Sequence, residues 1–107
     1  EEMHAVTALS GSGPAYFFRF VELLTESGVS LGLSREISEK LAQKTFTGSA
    51  KLFEATGESP TVLRKKVTSP GGTTEAALNT FAEQHWEEIV QKALTAATER
   101  SRELGKQ

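Results

Sequence analysis

Pro14-Ala15-Tyr16-Phe17-Phe18-Arg19-Phe20-Val21-Glu22-Leu23-Leu24 is the stretch on which the fold of this chain turns. A proline at the head of a helix costs little, because its missing N–H would have no intrahelical partner there. From Ala15 to about Ser27 the apolar residues fall on most sides of the helix rather than along one stripe. A helix of that kind is buried or covered by a partner. Gly28 and Gly32 punctuate the end expected for it. The segment Tyr16 to Leu24 carries more apolar surface than one small bundle needs. A second copy of the chain is the simplest cover, since obligate homodimer interfaces resemble a divided core.

Helical spacing recurs outward from this segment, and almost nothing alternates with period two. A short helix is expected over residues 3–9. Ser34 reads as an N-cap, with Glu36 favourably placed near the positive end of the next helix. Ile37, Leu41, Thr45, Ser49, Leu52 and Phe53 follow in steps of three or four until Gly57. Ser59-Pro60 pairs a cap with a first-turn proline and opens a short helix holding Val62 and Leu63. Arg64, Lys65 and Lys66 lie in its last turn. Another helix is expected from about Gly72 to Ala82, with Ala76, Ala77, Leu78 and Phe81 on its apolar side. The last runs from near His85 to Leu104. The expected fold class is all-α: one domain over residues 1–107, a bundle of about five to six helices with a second copy of the chain as partner.

The totals narrow the function. The 107 residues suffice for one modest core, and 37% apolar with 24% charged residues describes a folded domain. A net charge of −2 lacks the basic surplus of a nucleic-acid binder, so no nucleic-acid partner is expected. No run approaches the roughly 18 apolar residues of a membrane span, and no membrane partner is expected. The acidic, polar start shows no signal peptide, and a cytoplasmic location is the expectation. With no cysteine, disulfides and thiolate chemistry are excluded. The first residue is Glu1 rather than Met, which suggests a fragment or a processed product. His4 and His85 have no clustered ligands beside them, so no metal site is expected.

Val67-Thr68-Ser69-Pro70-Gly71-Gly72-Thr73-Thr74 is the candidate site. It gathers two glycines, a proline and four hydroxyls between two helices. One reading is a plain corner, in which Ser69 or Gly71 starts the next helix and the hydroxyls serve as caps. The other is an anion site. The glycines leave the backbone bare, Thr73 and Thr74 place hydroxyls in the first turn, and several N–H groups converge on a carboxylate or phosphate. Lys65 and Lys66 would add a weaker long-range field. Ser10-Gly11-Ser12-Gly13-Pro14 is a second stretch of small residues before a helix, where another backbone or a flat ring could approach. Its spacing fails the dinucleotide fingerprint, and no strand precedes it.

ALSGSGPAY at Ala8–Tyr16 and VTSPGGTT at Val67–Thr74 together resemble the carboxy-terminal domain of pyrroline-5-carboxylate reductase. The tail ALTAATERSREL from Ala93 to Leu104 fits as well, and the resemblance covers essentially the whole chain. The glycine-rich nucleotide fingerprint and its parallel sheet, which in that family form a separate amino-terminal domain, are absent. The resemblance implies an intertwined helical dimer and reduction of 1-pyrroline-5-carboxylate to proline with NADPH or NADH, the cofactor being bound mainly by the other domain. It implies that Ser69, Gly71, Gly72, Thr73 and Thr74 hold the substrate, with the Thr74 hydroxyl on the ring nitrogen as the catalytic group. It places Ser12, Gly13 and Pro14 toward the nicotinamide side. It also implies larger assemblies built from dimers. Two rivals stand beside it: a purely structural dimerisation module, and the helical second domain of another nicotinamide-dependent dehydrogenase. The latter would need a catalytic lysine, for which Lys40, Lys44 and Lys51 qualify by residue type alone.

Overall fold

The computed structural model describes residues 2–106, and these contain α-helices, one π-helical turn and no strand. The order is α1 (Glu2–Val6), the π turn (Thr7–Gly11), α2 (Gly13–Ser30), α3 (Arg35–Thr56), α4 (Pro60–Lys66), α5 (Thr73–Glu83) and α6 (Trp86–Gly105). The chain divides into two compact units. One joins the segment up to Pro14 with everything from Val67 onward, and the other runs from Ala15 to Lys66.

In the second unit α2 and α3 form an antiparallel hairpin. Phe17 and Phe18 meet Phe46 at ring-centroid distances of 6.2 and 6.3 Å, one stacked and one edge-on. Towards the turn, Ser38 donates to the carbonyl of Thr25 at 2.7 Å, and Thr25 in turn donates to Val21 O at 2.9 Å. Gly28 makes this approach possible. A Cβ there would collide with Ser38 Oγ. The expected helix stop at Gly28 is therefore a crossing point instead: α2 continues to Ser30, because the glycine serves packing rather than termination. The ends of α3 are as expected. Ser34 Oγ accepts from Ile37 N–H at 3.2 Å, and Gly57 closes the helix in the left-handed region at φ 66°.

In the first unit α1 and the π turn pack on α6, and α5 packs on α6 as well. Ala8 is the buried centre of that contact, and His4 Nδ1 lies 2.8 Å from Ser101 Oγ. The π turn replaces the last part of the helix expected over residues 3–9; Ser12 N–H closes it on Thr7 O at 2.8 Å. Phe81 and Trp86 stack at 4.4 Å across the short corner between α5 and α6. His85 makes that corner by taking φ 63°.

The burial pattern carries the main lesson. Buried positions among the described residues hold only small side chains: Ala8, Gly13, Thr25, Ser38 and Ala42. Phe17 and Phe18 are each 60% exposed, and Leu41 is 53% exposed. Helices this apolar with so little of their surface covered call for cover from another chain.

Candidate functional site

Two Ser-Pro pairs stand before helices, and they fold differently. At Ser59-Pro60, the serine is the cap and the proline the first residue of α4. Ser59 Oγ accepts from Val62 N–H at 3.2 Å. At Ser69-Pro70 the helix does not begin. Pro70 and Gly71 instead occupy the centre of a β-turn closed by Gly72 N–H on Ser69 O at 3.0 Å. Gly71 has φ 72°, as the third position of a type II turn requires. Gly72 is extended at φ −89° and ψ −177° and stands as the N-cap of α5. A side chain there would press on the turn, since its Cβ would lie 3.2 Å from Ser69 O.

The consequence is a helix start without a side-chain cap. Among the described residues, the N–H groups of Thr73, Thr74 and Glu75 meet no acceptor; the first helical bond is Ala76 N–H to Gly72 O at 3.2 Å. The hydroxyls of Ser69, Thr73 and Thr74 likewise have no partner among the described residues. Further along α5 and on α6, the hydroxyls of Thr80, Thr95 and Thr98 donate back to carbonyls at 3.0, 2.8 and 2.7 Å. Several N–H donors and three hydroxyls are thus left to solvent at the positive end of a helix. Gly71 N–H is the exception, since it donates to Glu75 Oε1 at 2.9 Å. Thr74 is half-buried, while Ser69 and Thr73 are exposed.

Ser69, Gly71, Gly72, Thr73 and Thr74 therefore form one continuous feature. Ser12, Gly13 and Pro14 belong to the same unit, at the junction of the π turn and α2, where Gly13 is buried. No hydrogen bond joins the two groups among the described residues. Of the cations expected to add a field, Lys66 is already engaged: its Nζ lies 2.7 Å from a Glu58 carboxylate oxygen. Lys40, Lys44 and Lys51 stand exposed along α3. Sequence reasoning did not foresee the Glu75 contact. A glutamate three residues into a helix, the position of the capping-box acid, was the available signal.

The family described as "Pyrroline-5-carboxylate reductase dimerisation" matches residues 1–104. The chain belongs to this family. Pyrroline-5-carboxylate reductase of Pseudomonas aeruginosa is 47% identical over 106 residues, which are 99% of this chain and 39% of that protein. Among solved structures, the pyrroline-5-carboxylate reductase of Coxiella burnetii superposes with a TM-score of 0.90 at 45% identity, over 96% of this chain and 38% of its own. The Plasmodium falciparum pyrroline carboxylate reductase, solved with NADP bound, gives a TM-score of 0.90 at 36% identity, over 97% of this chain and 40% of its own. The chain thus spans about two fifths of the length of these reductases. No helix among the described residues is long and apolar enough to cross a membrane.

Proposed function

We propose that this chain is the dimerisation and substrate-binding domain of an enzyme that reduces 1-pyrroline-5-carboxylate to L-proline with NADPH or NADH. The observation that carries the reading is the uncapped start of α5. A carboxylate seated there accepts charge-assisted bonds from the N–H groups of Thr73, Thr74 and Glu75 and from the Ser69 hydroxyl. Family membership supplies the substrate that bears the carboxylate.

With the carboxylate anchored, the ring nitrogen comes within reach of the Thr74 hydroxyl. That hydroxyl donates a hydrogen bond that strengthens as the imine becomes an amine. Thr74 is too weak an acid to protonate the nitrogen itself, so the proton arrives through water or with an already protonated imine. Gly71 contributes the turn rather than a donor. The nicotinamide, when bound, supplies the hydride. Its phosphates find no fingerprint in this chain, since the Ser10–Pro14 stretch sits in a π turn and a helix start rather than after a strand. Ser12 and Pro14, on either side of the buried Gly13, provide a small-residue surface on the nicotinamide side.

The homodimer accounts for the exposed apolar faces of α2 and α3. The two chains cover one another along the faces bearing Phe17, Phe18 and Leu41, and further assembly proceeds from dimers. A titration of L-proline against the full-length enzyme carrying this domain, with Ser69→Ala and Thr74→Ala alongside, tests the reading. Ser69→Ala weakens proline binding, and Thr74→Ala lowers kcat. Unchanged binding and turnover in both variants would remove the α5 start from the mechanism.

A further inference from the structure

We propose that Glu75 is a positioning residue: its carboxylate holds the Ser69–Gly72 turn in place and so aims the open donors of α5 at the substrate carboxylate. The inference rests on the site reading above. In a full capping box the N-cap side chain covers a first-turn N–H, while the glutamate reaches back to the N-cap N–H. Here only the second arm exists. Gly72 has no side chain to offer, and Glu75 reaches one residue further back, to Gly71 N–H at 2.9 Å. The turn is thereby tied to the first turn of its own helix, and the donors of Thr73, Thr74 and Glu75 stay uncovered.

The tie matters because the turn has little else to hold it. Ser69, Pro70 and Gly71 are exposed, and among the described residues the other bond closing the turn is Gly72 N–H to Ser69 O. A Gly-Gly pair is the most freely rotating link a chain can have. Ser69 is placed by that link, and its hydroxyl is one of the substrate ligands in this reading. Losing the Glu75 arm leaves α5 intact while Ser69 wanders, which weakens ground-state binding more than the chemical step. An opposing effect also exists, because a carboxylate near a carboxylate site repels the substrate. At an exposed, water-screened site the charge-assisted backbone bond outweighs that repulsion.

The experiment is steady-state kinetics of the full-length enzyme with Glu75→Ala, Glu75→Gln and Thr74→Ala, together with thermal midpoints at one protein concentration. The expected result is a KM for 1-pyrroline-5-carboxylate raised by about tenfold in Glu75→Ala with kcat within about twofold, on the scale of one charge-assisted bond. Glu75→Gln keeps an acceptor for Gly71 N–H and restores most of the KM. A tighter KM in Glu75→Gln would show that repulsion dominates and would overturn the proposal. So would an unchanged KM in Glu75→Ala when Thr74→Ala still lowers kcat. If Thr74→Ala also left the kinetics untouched, the fault would lie with the site reading itself.

Discussion

Ser59-Pro60 and Ser69-Pro70 are the same dipeptide in the same place, just before a helix, and they leave different sets of first-turn donors open. At α4 the serine side chain covers a first-turn N–H, that of Val62. At α5 the two glycines after the proline divert the chain into a turn, and the helix starts later on a bare Gly72. The difference lies in the following residues, Thr61-Val62 against Gly71-Gly72. Thr61, which stands where the second turn has Gly71, is β-branched and strained at a left-handed φ, whereas glycine takes it freely. A cap lends stability by occupying donors. Leaving them open gives up that stability and, in the function proposed above, keeps them for the substrate carboxylate.

The sharpest way to break the comparison is Thr74→Ala in the full-length enzyme. Its kcat is expected to fall by about one to two orders of magnitude, the scale of one well-placed hydrogen-bond or proton-transfer group. Thr73→Pro comes next. It turns the head of α5 into that of α4, where Pro60 already occupies the first helical position. Proline is well tolerated there, so the helix survives while one N–H is lost. Relative to Thr73→Ala, the KM should rise by about tenfold. Alanine at the two serines separates cap from ligand. Ser59→Ala should lower stability by about 1 kcal/mol without touching KM. Ser69→Ala should raise KM and leave the denaturation midpoint within about 0.5 kcal/mol, since its hydroxyl has no partner in the described residues. Midpoints must be compared at fixed concentration, because a homodimer's apparent stability depends on it.

The smallest effect serves as a background. At the α2–α3 corner the Arg35 guanidinium donates to both Glu26 carboxylate oxygens, at 3.2 and 3.1 Å, and its charge adds to those bonds. Together they hold the Glu26 carboxyl below the usual carboxylate range. The contribution to folding is full above that ordinary range and is lost as the pH falls through the depressed value. The carboxyl shift of Glu26, followed by NMR, should therefore titrate lower than in Arg35→Ala. A coincident titration would show that the pair does not persist in solution.

Much of this was legible before the fold was known. Ser34, Gly57 and Ser59-Pro60 act as caps and stops because their reasons are local: a hydroxyl within reach of an N–H, a missing Cβ at positive φ. The start of α5 at Gly72 was equally readable. Neither Ser69 nor Gly71 opens the helix, because a turn runs between them and α5 begins after it. The misreadings have non-local causes. Gly28 looked like a stop, but its missing Cβ serves Ser38 on the neighbouring helix. No pattern in Thr7–Gly11 announces a π turn. His85 takes a left-handed φ that histidine rarely adopts, and only the Phe81–Trp86 stack around it shows why a tight corner forms there. The apolar excess of Tyr16 to Leu24 was visible from the outset, and it remains exposed in the single chain.

The most direct test of the account is an amide proton–nitrogen NMR titration of the full-length enzyme with L-proline. The account predicts that the amide signals of Thr73, Thr74 and Glu75 shift together and saturate, while those of Thr61, Val62 and Leu63 at the capped start stay in place. Proline binding with Thr73, Thr74 and Glu75 unmoved would contradict it.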